Sequence, residues 1–420
     1  MRNKTIAFPF ALSLLAMATS ALAAPTEITM WRHESGDVEV EVVRSMIDGF
    51  NKSQNKYKVV YENLPKGSYT QSVTAGAVAK KLPCLIDMDQ PTVANFAWSG
   101  HIRPIGDLVD KNVVSQMLNG GKGEYKGILY SVGQFDAALG IFARKSALDK
   151  AGLRTPTIDK PWTLAEFNDA LAKLKTLPDY EYVIDMHNTF DGEWWTYAFS
   201  PWMQSFGGDL IDRQTMTHAD GVLNGTEAVA FGKWFQSLYT KGYANKKPAD
   251  DKSFVLGRVP LDYMGNWAYA EAKEKWGDDL IVLPPPDFGK GSKIGAASWQ
   301  YGISSTCATP EGAAAFINYM LEPKQIAANS AATKLIPITQ AGADISPDYK
   351  PGGPLRFYYE FSKKFALVRP GTPGYPFLTS TYEKAMRAIV NGADVQRTLD
   401  DAADAIDRNI KDNKGYGFKL

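Results

Sequence analysis

Apolar residues along this chain keep changing period, and the changes mark out alternating strands and helices. Ile28-Thr29-Met30-Trp31 is a short apolar run ending in the polar stretch Arg32-His33-Glu34-Ser35-Gly36. Val42, Val43, Met46, Ile47 and Phe50 then recur at helical spacing, which predicts an amphipathic helix over 38–51. A strand over 57–61, a helix over 69–80 and a strand over 84–88 follow, so the first hundred residues read as a βαβαβ unit. In open α/β sheets ligands bind beyond the carboxyl ends of the strands, which puts His33, Glu34, Asp89 and Gln90 at the rim of one cleft.

The pattern resumes downstream. A strand over 182–185 precedes Asp191-Gly192-Glu193-Trp194-Trp195, which opens a helix to Phe206, and Gly207-Gly208 ends it. An amphipathic helix over 223–239, strands over 259–264, 280–283 and 299–306, and a helix from Thr309-Pro310-Glu311 to Leu321 complete the alternation. Strands alternating with helices predict sheets covered by helices.

The N-terminus predicts export. Arg2 and Lys4 form a basic start, 6–18 is apolar, and Ala21-Leu22-Ala23 is a small-x-small cleavage site, so 1–23 reads as a signal peptide. The apolar run is too short to span a bilayer, and the absence of cysteine near the cleavage site argues against lipid attachment. What remains is more than one compact core usually holds, so two lobes are expected. With Arg2 and Lys4 removed, the 46 acidic residues outnumber the basic ones by two, leaving no field that would favour nucleic acid or an anionic membrane. Cys84 and Cys307, the only cysteines, would meet an oxidising compartment, and a disulfide and two buried thiols are equally compatible readings.

The segment from Gly127 to Lys175 carries a resemblance to a known family. Gly127, Tyr130, Asp136, Ala151-Gly152-Leu153, Pro161-Trp162-Thr163 and Glu166 stand where solute-binding proteins of carbohydrate ABC importers have their pattern, with Gly133 in place of a proline and Ala143-Arg144 in place of Tyr-Asn. Gly207-Gly208, Gly265-Asn266-Trp267, the run 306–317 and Leu335-Ile336-Pro337 extend it over nearly all of the chain after residue 23. The chain thus resembles extracellular solute-binding protein family 1, the group of the maltose- and glycerol-phosphate-binding proteins. The resemblance implies an α/β, two-lobed type II periplasmic-binding-protein fold, each lobe a mainly parallel sheet flanked by helices. Three crossovers near Gly133, Ser292 and Pro337 would divide the chain into a first lobe of 24–133 and 292–336 and a second lobe of 134–291 and 337–420. It implies a periplasmic, monomeric carbohydrate-binding protein, not an enzyme, whose partners are a sugar and the permease of an ABC importer. Neither cofactor nor metal is expected.

Sugar hydroxyls each donate and accept, and sugar C–H faces pack on flat rings. Asp89, which follows the third strand directly, and His33 and Glu34 after the first are polar candidates, with Gln90 beside them. Phe135 and Asp136 would lie at the first crossover on the cleft floor. In the family arrangement Trp194, Trp195, Trp267 after Gly265, and Trp299 fall at element ends facing the cleft; Tyr301 shares the face of Trp299, and Arg369 precedes a proline-rich cleft loop. Trp162, Trp234 and Trp276 are assigned to structure. Two alternatives stand. An anionic sugar or polyol derivative could be held by Arg32, His33, Arg356 and Arg369. A secreted glycoside hydrolase would need a carboxylate pair, drawn from Glu34, Asp89, Asp136 and Glu193, although no G-x-S-x-G or H-E-x-x-H motif occurs.

Overall fold

The computed structural model describes residues 24–65, 68–296 and 299–419; the expected signal peptide lies outside them. Two sheets dominate. The first has six strands in the order β2-β1-β3-β12-β5-β4: β1 (Thr26–His33), β2 (Tyr57–Leu64), β3 (Leu85–Asp89), β4 (Lys122–Tyr125), β5 (Ile128–Gly133) and β12 (Trp299–Ile303). Ile28 and Met30 point inward from β1 and meet Val43, Met46, Ile47 and Phe50 of the helix Asp37–Ser53, whose buried stripe is the one expected from its spacing. Hairpin β4–β5 turns through Lys126 and Gly127, both at positive φ (51° and 73°), the twist a two-residue hairpin requires.

The second sheet has the order β10-β7-β9-β8: β7 (Leu139–Arg144), β8 (Ile184–Asp185), β9 (Leu261–Gly265) and β10 (Leu280–Leu283). Helices Glu193–Phe206, Thr226–Thr240, Tyr375–Val390 and Val395–Asp412 pack around it in a core rich in aromatic rings, including Trp162, Trp202, Phe231 and Phe288. The Pro161-Trp162-Thr163 signature behaves as a helix start: Thr163 and Glu166 form a reciprocal capping box before the helix Leu164–Leu174.

Between the sheets run two short ribbons. β6 (Phe135–Asp136) pairs antiparallel with β13 (Ile336–Pro337), and β11 (Ile294–Gly295) pairs parallel with β14 (Ala366–Leu367). One core cluster passes through this junction, joining Ile28 and Phe316 to Phe142, Leu280 and the helix Arg356–Phe365.

The two-lobed α/β expectation holds, but the sheets are mixed, not mainly parallel. Among the described residues three of five pairings in the first sheet and two of three in the second are antiparallel. The reason is traffic between the lobes. A strand that enters a lobe from the junction, as β12 and β7 do, must run away from it, against neighbours that run toward it. Cys84 and Cys307 form a disulfide with a Cα–Cα distance of 4.5 Å, tying the start of β3 to the end of β12 across 223 residues of sequence.

Candidate functional site

The carboxyl ends of β1 and β3 and the start of β12 meet at one edge of the first sheet, because Trp299 pairs with Asp89 in an antiparallel register. His33 is fixed twice on Asp87, its backbone N–H donating to Oδ1 (3.0 Å) and its Nδ1 lying 2.6 Å from Oδ2. Its imidazole stacks on Trp299 with ring centroids 3.5 Å apart, and both rings line the cleft.

The second lobe supplies the opposing wall from the N-terminus of the helix Glu193–Phe206 and from the 369–379 segment. Arg369, 3% exposed, donates through Nη2 to Asp89 Oδ1 (3.0 Å) and through Nη1 to Asp89 Oδ2 (3.1 Å). The same Nη1 donates to Glu193, which also accepts from the Tyr375 hydroxyl and from Thr379 Oγ1 (3.0 Å). One guanidinium therefore bridges a carboxylate of each lobe. Burial pushes the Glu193 carboxyl up, against the opposing pull of Arg369. Burial disfavours charge on Arg369 too, but Asp89 and Glu193 together hold it protonated well above the ordinary range.

These groups line a cavity of about 720 Å³, a size typical of small-molecule sites. Its walls are notably aromatic: Phe135, Phe190, Trp194, Tyr197, Trp267 and Trp299 all face it. Trp194 and Tyr197, three apart, and Glu193 and Tyr197, four apart, share a face of the helix, while Phe190 reaches the same wall from the loop before it and meets the Trp194 ring edge-on at 5.2 Å. Behind Phe190 and Trp194 sits His187, at φ 50°, stacked on Phe190 (5.0 Å) and bonded to Asp262 (2.6 Å). Burial works against its charge, but Asp262 prevails and raises its pKa to about 9.

Of the residues expected at the site, His33, Asp89, Phe135, Trp194, Trp267, Trp299 and Arg369 line this cavity. Six do not. Glu34 is exposed, and its backbone prolongs the pairing to Leu64, which turns the side chain away from the neighbouring His33. Gln90 is buried in the short 3-10 turn Gln90–Thr92. Asp136 is fully buried in the junction, accepting from Ser362 Oγ (2.5 Å) and the Ala137 N–H (2.9 Å). Trp195 lies off the helix face just described and is core, its Nε1 donating to the Phe190 carbonyl and its ring under Arg387. Gly265 serves the site indirectly, since a side chain there would meet the Trp267 ring at 2.1 Å. Tyr301 lies deeper along β12 than Trp299; burial pushes its phenol up to about 12, with Arg32 pulling the other way.

Conversely, Glu39, Phe190, Asp191, Tyr197 and Leu335 line the cavity although the sequence does not mark them as site residues, and so does Glu193, a candidate there only as a hydrolase carboxylate. The signal for Tyr197 is its helical spacing from Glu193 and Trp194; Phe190, in the loop before the helix, carries no such signal.

Comparison with known proteins places this architecture. The sequence pattern described as "Bacterial extracellular solute-binding protein" matches residues 36–327. The sn-glycerol-3-phosphate-binding periplasmic protein UgpB of Yersinia enterocolitica is 25% identical over 363 residues, covering 79% of this chain and 78% of that protein. UgpB of Escherichia coli O1:K1 is 25% identical over 365 residues, covering 80% and 79%. Among solved structures, the cyclic alpha-maltosyl-1,6-maltose binding protein of Arthrobacter globiformis superimposes with a TM-score of 0.79 at 20% identity, covering 93% of this chain and all of that one. MalE, the sugar-binding protein of Xanthomonas citri, gives 0.79 at 17% identity, covering 93% and 98%. The chain belongs to the bacterial extracellular solute-binding protein family.

Proposed function

We propose that this protein binds a carbohydrate outside the cytoplasm, in the cleft between its lobes, and delivers it to the permease of an ABC importer without bond chemistry. The observation that carries the reading is a cavity with aromatic rings contributed from both sides and, at its centre, a carboxylate–guanidinium–carboxylate bridge. Rings suit the apolar faces of a sugar, while carboxylates and a guanidinium suit hydroxyls that donate and accept. Trp299 at the start of β12 and Trp267 just after β9 bring rings to the cavity from the two sheets.

The proposal includes a periplasmic monomer released by cleavage after residue 23. It also includes a hinge at the three crossovers near Gly133, Ser292 and Pro337, an assignment supported by the short pairings β6–β13 and β11–β14 between the sheets. A ligand that touches both walls favours the closed form, because those contacts coexist only there. A second reading, an anionic polyol derivative, is supported by the names of the curated relatives. The test is a thermal-shift panel of mono-, di- and trisaccharides, polyols and their phosphates, followed by titration calorimetry, since a ligand selective for the native state raises the midpoint by mass action. Saturable binding of a saccharide supports the reading. Failure of every saccharide to bind would refute it.

A further inference from the structure

Charge around the cleft follows a repeated arrangement. Three arginines stand in or behind the cavity wall, and each is shared by two carboxylates. Arg32 pairs with Glu39 and lies 3.8 Å from Asp87; Arg369 pairs with Asp89 and Glu193; Arg387 pairs with Asp191 and Glu383. Among the described residues, Glu39, Asp89, Asp191 and Glu193 face the cavity, against Arg369 alone among the arginines. The imidazole of His33, the other basic group of the described lining, is held on Asp87. The two helices that begin at the cavity carry Asp37 and Glu39, and Glu193, in their first turns, so their positive ends already face carboxylates of their own. Arg356, a candidate for an anion pocket on sequence grounds, pairs instead with Glu360 and Asp344 and lies outside the lining.

A phosphoryl group brings a charge of about −1.5 to −2 and needs arginine edges or free N–H groups to receive it. Here it would enter an acidic shell and have to take Arg369 from Asp89. A protonated amine meets the opposite situation: carboxylates within reach, and the exposed ring of Trp267 for a cation–π contact, while the Tyr197 ring already carries the Arg369 guanidinium at 5.3 Å. Building on the carbohydrate reading, we infer that the cleft selects saccharides without a phosphate or sulfate and that a protonated amino group on the ligand strengthens binding. In this respect the chain departs from the glycerol-phosphate-binding relatives that it matches.

The experiment takes the tightest-binding neutral saccharide from the thermal-shift panel and compares it by calorimetry with its 6-phosphate ester and its 6-amino-6-deoxy analogue. The expected result is a loss of about tenfold or more for the phosphate and a gain of severalfold for the amine, both shrinking as salt rises. Glu39→Gln and Asp191→Asn separate charge from steric fit, because each should narrow the gap between phosphate and parent while leaving the ligand's shape requirements alone. A phosphate that binds as tightly as its parent, or a gap unchanged in both variants, overturns the inference while the carbohydrate reading stands. If sn-glycerol 3-phosphate binds and no saccharide does, the carbohydrate reading fails and the inference falls with it.

Discussion

Asp89→Ala tests the bridge that joins the two lobes. Asp89 ends β3 in the first sheet, and its two oxygens accept both terminal nitrogens of Arg369 at 3.0 and 3.1 Å, across 280 residues of sequence. Arg369 is buried among second-lobe groups and keeps Glu193 when Asp89 is removed, so truncation does not leave a wholly unpaired charge. That moderates the cost. Hydrogen bonds to charged partners are worth roughly 1.5–3 kcal/mol each, and the Asp89 side chain retains some exposure, so a total of about 2–3 kcal/mol is a reasonable expectation. Since about 1.4 kcal/mol is a factor of ten, the balance between closed and open forms should move some thirtyfold or more toward open. Other cross-lobe bonds persist, notably Asn95 Nδ2 to the Pro373 carbonyl and the Tyr125 hydroxyl to the Tyr416 carbonyl, each 2.8 Å, and they limit the excursion. Small-angle scattering on the unliganded variant should show a larger radius of gyration than the parent, and calorimetry should show ligand affinity reduced by at least tenfold. A variant with the parent's scattering curve and the parent's affinity would refute the reasoning.

Trp267→Ala should weaken saccharide binding by about 1–3 kcal/mol in calorimetry and leave the melting midpoint nearly unchanged, because the ring is 38% exposed. Trp195→Ala should do the reverse, costing about 3–5 kcal/mol of stability in urea unfolding through loss of a buried ring. Replacing Cys84 and Cys307 together by serine should cost about 2–5 kcal/mol by the same assay, since their bond closes a long loop of the unfolded chain. His187 has a folded-state pKa raised to about 9, so its contribution is complete below about pH 6.5 and is lost as pH rises through about 9. The midpoint difference between the parent and His187→Asn should therefore shrink between pH 6 and pH 10, and a difference independent of pH would remove the His187–Asp262 pair from the argument.

The elements were legible because their information is local. The helix over 38–51 appears as Asp37–Ser53 with Val43, Met46, Ile47 and Phe50 buried and Val42 half-buried, and the helix starting near Glu193 ends at Phe206. Strand direction was not legible. Apolar runs such as 139–144 or 299–303 look the same in either direction, and only the order in which the chain enters and leaves each lobe decides which neighbour a strand opposes. Depth was only partly legible. Trp299 and Tyr301 share one face of β12, yet two residues along a strand separate a ring that lines the cavity from one packed beside Arg32.

The bridge shows most clearly what a residue-by-residue reading misses. Taken one at a time, Asp89 and Arg369 read as ligand contacts and Glu193 only as a carboxylate for a rival chemistry, because nothing local in the sequence sets one of them against the others. Their pairing is a property of two sheets brought face to face, set by contacts between residues 176 and 280 positions apart. It also changes their chemistry. Asp89 and Arg369 facing water would compete independently for a ligand's hydroxyls, whereas joined and partly desolvated they offer a single fixed array, with the Arg369 guanidinium already neutralised. A ligand entering this cleft gains by meeting that array and the rings around it, not by bringing a negative charge to Arg369, which is why the polarity of the bound molecule follows from the pairing and not from any of the three residues alone.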